Sequence, residues 1–253
     1  MPCCSPVRLV AISVAFMALA ASAHAGPPFR TDDPEPVELG HWEVYGFSSA
    51  THVDGETSGI FPGIEINYGA APNLQLHLVA PLAFDRMDGS NTKIGYGDTE
   101  LGAKYRFLEE DENGWRPQAG IFPLLEVPTG DEARGLGTGS VHAFLPLWLQ
   151  KSFGKWLTYG GGGYWINPGF GNKNYWFAGW LVQRQVTDNL ALGGEIFHQT
   201  ADTVGGEDQT GFNLGGIYDF NEHYHLLFSA GRGLQSAAST NEFSYYLALQ
   251  WTD

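Results

Sequence analysis

The chain has 253 residues, with 13 Lys or Arg against 28 Asp or Glu and a formal net charge of −15. Phosphate backbones would repel so acidic a polypeptide, which excludes nucleic acid as a partner. Both cysteines, Cys3 and Cys4, fall within the first 25 residues, so a chain cut after them has no thiol for a disulfide, a thiolate zinc site or a cysteine nucleophile.

Those first 25 residues read as a secretory signal peptide. Arg8 is their only charge, Leu9 to Ala21 are apolar, and Ala23-His24-Ala25 before Gly26 is a small-x-small cleavage signature. The expected location is the bacterial outer membrane, after cleavage near Ala25–Gly26. Nothing downstream approaches 18 consecutive apolar residues, so no transmembrane helix is expected. A β-barrel stays open, because alternating strands escape a hydropathy average.

Residues 26–40 carry prolines at 27, 28, 34 and 36 and the carboxylates Asp32, Asp33, Glu35 and Glu38. Such a segment forms neither a regular helix nor a central strand. Two readings stand: a plug tucked into a barrel lumen, with Arg30 or the acidic run meeting lumen charges, or a disordered leader into the first strand.

From residue 41 to 253 the pattern is all-β. "LQLHLVAPLAF" sets Leu74, Leu76, Leu78, Ala80, Leu82 and Phe84 on one side. "TELGAKYRF" sets Leu101, Ala103, Tyr105 and Phe107 against Glu100, Lys104 and Arg106, and "IFPGIEINY" sets Ile60, Ile64, Ile66 and Tyr68 against Glu65 and Asn67. Period two predicts twelve strands, near 41–50, 58–69, 73–84, 96–108, 115–127, 139–152, 155–166, 174–186, 190–200, 210–220, 223–234 and 242–252. Short connections follow the even strands (70–73, 109–114, 153–155, 187–189, 221–223), and longer ones follow odd strands (85–97, 129–140, 201–209). That asymmetry is the mark of an antiparallel transmembrane β-barrel with short periplasmic turns and longer extracellular loops.

Aromatics are expected to form two belts. Trp42, Tyr68, Tyr105, Phe107, Trp115, Trp156, Phe220, Tyr224 and Trp251 map beside the short turns, and Phe84, Trp165, Trp176, Phe212 and Phe243 near the long loops. The last strand puts Phe243, Tyr245, Leu247, Leu249 and Trp251 on one face. That face is expected to touch lipid, to mate with the first strand, and to engage the outer-membrane assembly machinery. Prolines 62, 81, 123 and 146 fall within strands and predict bulges or strand ends.

If the apolar positions face out, Glu43, Glu65, Glu100, Lys104, Arg106, Glu126, Glu195 and Asp219 line the interior. Mostly carboxylate, they would favour cations or polar solutes. A twelve-strand barrel lies between the filled eight and the open sixteen, so pore and plugged interior both remain, and Lys104 or Arg106 facing Glu65 or Glu126 would favour the plugged case.

Other constellations carry less. His223 and His225 share a face without a third ligand. Acidic loop tips (Asp85 and Asp88; Asp131 and Glu132; Asp202, Glu207 and Asp208) read as solvated charge, with divalent bridging to lipopolysaccharide as the sharper alternative, and "GLGTGS" lacks the ending of a phosphate loop. Ser140 and His142 share a face without a nucleophile motif. No catalytic residue, metal or cofactor is expected.

Several stretches, "FRTDDPEPVELGHWEVY" (29–45), "GYGDTELGAKYRFLEED" (95–111), "FPLLEVPTGD" (122–131), "LPLWLQKSFGKWLTYGGGGY" (145–164) and "NYWFAGWLVQRQVTDNLALGGEIF" (174–197), resemble the MetA-pathway of phenol degradation family of outer-membrane barrels. The resemblance implies a barrel and a role in uptake of small, aromatic or hydrophobic compounds, with no established catalytic residues. The expected function is therefore passive passage of small molecules across the outer membrane, with its lipid and lipopolysaccharide as surroundings. A structural or adhesive barrel acting through its acidic loops is the alternative; a soluble periplasmic barrel with an apolar ligand is a third.

Overall fold

The computed structural model describes residues 27–111 and 114–253; the expected signal peptide lies outside the described residues. Among the described residues fourteen strands form: β1 (Trp42–Val53), β2 (Glu56–Ala71), β3 (Leu74–Met87), β4 (Lys93–Tyr96), β5 (Thr99–Leu108), β6 (Gln118–Ile121), β7 (Leu124–Val127), β8 (His142–Phe153), β9 (Trp156–Ile166), β10 (Tyr175–Thr187), β11 (Leu190–Gln199), β12 (Gln209–Asp219), β13 (Tyr224–Gln235) and β14 (Phe243–Thr252), with a 3-10 turn (Glu132–Arg134) and one α-helical turn, α1 (Ala237–Thr240). β4 is a flap on β3, and β6 with β7 make one interrupted strand between β5 and β8. The wall is thus a closed antiparallel barrel of twelve strands, as the alternation predicts. β14 pairs with β1, Gln250 opposite Tyr45, and closes the ring.

One rim carries two-residue turns, Pro72-Asn73, Gly154-Lys155 and Asp188-Asn189. Asn73 (φ 62°) and Gly154 (φ 61°) take the left-handed conformation such hairpins require. The opposite rim carries the connections 128–141 and 200–208. It departs from the expected pattern in two places. β1 and β2 meet there in a tight Asp54-Gly55 turn, and most of the expected 85–97 loop is strand, because β3 keeps pairing with β4 (Asp85 opposite Lys93).

The alternation sorts side chains as expected for a wall that is apolar outside. Along β14, Phe243, Tyr245, Leu247, Leu249 and Trp251 are 37–52% exposed, whereas Ala248 and Gln250 between them are 2% and 0% exposed. Leu76, Leu101, Leu145, Ile196 and Leu214 continue this exposed apolar surface around the ring. Trp42, Tyr105, Phe107, Trp115, Trp156, Phe220, Tyr224 and Trp251 are exposed beside the short turns, and Trp176 and Phe243 toward the other rim.

Two residues depart from that sorting. Trp165 shares the phase of Leu157 and Tyr159 and stacks on Phe144 inside, with ring centroids 4.8 Å apart. Ile60 also turns inward, onto Tyr45 and Phe47, because the register shifts between Ile60 and Gly63.

That shift is where Pro62 sits. All four strand prolines mark places where the ladder has no donor to lose. Pro123 occupies the break between β6 and β7. Pro81 lies where β3 changes partner from β5 to β4, and Pro146 where β8 changes from β7 to β6.

The interior holds more apolar side chains than the list of inward charges suggests. Phe122, Phe144, Trp148, Phe177 and Phe197 form one cluster, Tyr45, Phe47, Ile217, Leu227 and Ala248 a second, and Leu157, Tyr159 and Leu181 a third, against which Phe29 packs. They narrow the lumen and give residues 27–41 a surface to lie on.

Candidate functional site

Residues 27–41 run through the interior without regular structure, as their prolines dictate. Lacking a ladder, their amides are met by side chains of the wall. The N–H groups of Arg30 and Thr31 donate to the two carboxylate oxygens of Glu195, each at 2.8 Å. The Val37 N–H donates to Gln75 Oε1 at 3.0 Å, and the Ser229 hydroxyl donates to the Pro28 carbonyl. The wall also gives way: a side chain at Gly179 would collide with the Thr31 hydroxyl, and one at Gly69 with the Glu38 carbonyl.

Three of the segment's carboxylates, Asp32, Asp33 and Glu35, meet cations of the wall. Lys104 Nζ stands 2.9 Å from Asp32 Oδ1 and 3.4 Å from Asp33 Oδ2, and Arg106 Nη1 donates to Glu35 Oε1 at 2.7 Å. Both cations therefore pair with the segment rather than with Glu65 or Glu126. Burial pushes the Asp33 carboxyl well above the usual carboxylate range, with Asp32 beside it adding to the rise and Lys104 offsetting part of it. Burial also acts to raise Asp32, but the Lys104 ammonium at hydrogen-bonding distance outweighs it and holds that carboxyl below its ordinary value.

The segment divides the lumen in two. An inner cavity of about 590 Å³ opens toward the short-turn rim and is lined by Asp32, Glu35, Glu38, Glu43, Glu65, Glu100 and Glu110, with Lys104 and His77 among them. An outer cavity of about 580 Å³ faces the long-loop rim, lined chiefly by hydroxyls and amides such as Ser49, Thr51, Ser58, Gln199, Asn213 and Ser244. Phe29 and Arg30 line both, at the division.

Of the eight inward residues read from the sequence, Glu43, Glu65, Glu100 and Lys104 come together around the inner cavity. His77 joins Glu100 to Asn67: its Nε2 lies 2.9 Å from Glu100 Oε1 and its Nδ1 2.7 Å from Asn67 Oδ1, with Glu65 Oε1 at 3.7 Å. The other four stand elsewhere. Arg106 also grips Asn73 Oδ1, Glu195 holds the segment's amides, Asp219 Oδ1 sits 2.7 Å from His225 Nδ1, and Glu126 Oε2 lies 3.5 Å from His142 Nδ1. His77, Gln75 and Phe122 were missed, since a lone imidazole or amide in a strand gives no spacing signal.

The remaining motifs resolve locally. His223 and His225 point to Thr252 and Asp219, and no metal-compatible group of three ligands occurs among the described residues. Ser140 Oγ is 3.2 Å from His142 Nε2 and equally close to the Pro168 carbonyl, to which it donates a hydrogen bond; neither cavity is lined by Ser140, His142 or Glu126.

The family model described as "Putative MetA-pathway of phenol degradation" matches residues 43–251. The chain belongs to this family. As a MetA-pathway family member it is similar in fold to the COG4313 outer membrane channel from Pseudomonas putida F1, with a TM-score of 0.67 and 19% identity over 87% of this chain and 98% of that one. The translocator domain of the autotransporter NalP from Neisseria meningitidis aligns with a TM-score of 0.49 and 9% identity, covering 83% of this chain and 86% of that one. A mutant Rh. blastica porin aligns at 0.31 and 11%, covering 84% and 99%. Among curated proteins none matches.

Proposed function

We propose that this family member is an outer-membrane channel for small molecules, and that residues 27–41 act as its plug. In this reading the short-turn rim faces the periplasm and the long loops face outward. The observation that carries it is the pairing of a closed, apolar-sided wall with two cavities that meet only at Phe29 and Arg30. An apolar belt of this extent needs lipid around it. A lumen of polar cavities gives a solute somewhere to go.

Selectivity follows from the inner cavity, where Glu43, Glu65 and Glu100 outnumber the nearby Lys104 and draw cations and polar solutes toward the constriction. The family's description ties it to phenol degradation, and small aromatic compounds are accordingly the solutes to try first.

The test is reconstitution of the refolded protein with single-channel recording, alongside liposome swelling with phenols, fatty acids and sugars. Deleting residues 27–38 should raise the conductance several-fold. A barrel with a purely structural or adhesive role would pass none of the solutes, with or without the segment.

A further inference from the structure

One cation of the lumen has no counterion. Lys104, Arg106 and Lys151 each have a carboxylate oxygen at 2.9 Å or less. Around the Arg30 guanidinium no carboxylate lies within ion-pairing distance among the described residues. Glu195, the nearest candidate, spends its oxygens on the N–H groups of Arg30 and Thr31 and on the Asn213 amide. Asp202 is reached only through Gln199, whose Oε1 accepts from Arg30 Nη2 at 3.0 Å and whose Nε2 donates to Asp202 Oδ2 at 3.2 Å. A guanidinium has five N–H donors in a planar fork, and one side-chain bond leaves the fork mostly open.

The group is nevertheless fixed in place. Its central carbon lies 4.4 Å from the Phe197 ring centroid and 5.3 Å from that of Phe177, so two aromatic faces hold it where it remains reachable from the lumen. Elsewhere in the lining of the outer cavity, the Tyr246 hydroxyl and Asn241 Oδ1 are buried and without a hydrogen-bond partner. A buried hydroxyl left unpaired is costly, and an occupant of the cavity is one way to satisfy it.

We propose that the Arg30 end of the outer cavity is a binding subsite for the carboxylate of a small aromatic monoacid. The choice of ligand follows from the lining. One free guanidinium recognises one carboxylate in bidentate fashion. The negative field of Glu195 and Asp202 disfavours a dianion such as phosphate or a dicarboxylate. Phe29, Tyr175 and Tyr246 supply ring contact for the body of the ligand, and the cavity's volume suits a molecule of that size. This assignment rests on the channel reading, since the outer cavity is then the first chamber a solute meets.

The experiment is equilibrium titration of the refolded full chain in detergent with benzoate, with its neutral analogue benzamide, with benzylamine and with the dianion phthalate, read by calorimetry. Folding of each sample is checked by heat-modifiable gel mobility. Benzoate should bind at least ten-fold more tightly than the other three. Arg30→Gln should abolish the preference and Tyr246→Phe should weaken benzoate several-fold, whereas Arg184→Gln, whose guanidinium stacks on Trp156 at the outer face, should change nothing. Equal binding of benzoate and benzamide, no binding of either, or an unaltered preference in folded Arg30→Gln would overturn the assignment. Conductance of the unsubstituted protein in potassium chloride is recorded separately, so that a barrel that conducts but does not bind benzoate refutes the subsite alone, and a barrel that does not conduct refutes the channel.

Discussion

Lys104 reaches Asp32 at 2.9 Å across 72 residues of sequence, tying strand β5 to the segment that crosses the lumen. The lysine side chain is 4% exposed and that of Asp33, its second partner, is fully buried. Breaking a buried pair by deleting one partner typically costs roughly 3–5 kcal/mol, because the other charge is left uncompensated. Lys104→Met should therefore dislodge residues 27–41 without opening the ring. The expected result is a higher, noisier single-channel conductance and unchanged heat-modifiable mobility, with Lys104→Arg restoring most of the closed behaviour.

Acidity should act on the same contact. Asp33 has a raised value when docked, so its contribution is complete below the ordinary value of 3.8 and is lost as pH rises through the docked one. Asp32, depressed, contributes above 3.8 and loses that contribution as pH falls through its own docked value. Above the ordinary carboxylate value Asp33 is thus the group that titrates against docking, as pH rises through its raised docked value. Conductance should climb as pH rises through that docked value, and Asp33→Asn should flatten the climb. A profile that is identical in the variant would remove Asp33 from the account.

The outer face can be tested at Leu247, which is 48% exposed at the middle of β14. Arginine on a lipid-facing strand near the bilayer midplane costs about 2–4 kcal/mol. Leu247→Arg should lower unfolding stability in vesicles by that amount. Arginine at a site that faces water should cost far less, so a negligible effect would place this face away from lipid.

Ion preference should respond to the inner cavity. Glu65 and Glu100 line it on either side of His77. Replacing both with glutamine should lower the cation-to-anion permeability ratio at least about two-fold, measured as the reversal potential in a salt gradient. An unchanged reversal potential would assign selectivity to another part of the lumen.

Much of the wall was legible because one periodicity governs it: each strand from β8 onward begins and ends within three residues of its expected bounds. Trp165 was assigned to a belt by its place along the strand and not by its phase, which it shares with Leu157 and Tyr159, whereas Ile60 was misassigned for a local reason. Period two says which residues share a face, but not where a bulge such as the one at Ile60–Gly63 swaps the faces. Phe177 went unnoticed as an interior residue because β10 is apolar on both sides, Phe177 and Leu181 inward and Trp176 and Trp180 outward, so hydrophobicity carried no direction there. The candidate site was half visible. Glu65, Glu100 and Lys104 follow from strand phase, whereas the role of Glu195 depends on meeting two backbone amides some 164 residues away, which no strand pattern encodes.

The segment's attachment has a mechanical result. Residues 27–38 are held by side chains alone, and main-chain pairing with the wall begins only near Leu39 and Gly40, against Gly69. Withdrawing those residues would sever none of the inter-strand bonds that keep the staves together. On the proposed plug reading, opening and structural integrity are thereby uncoupled: the segment would swing on a hinge beside β2 while the cylinder keeps its full complement of rungs.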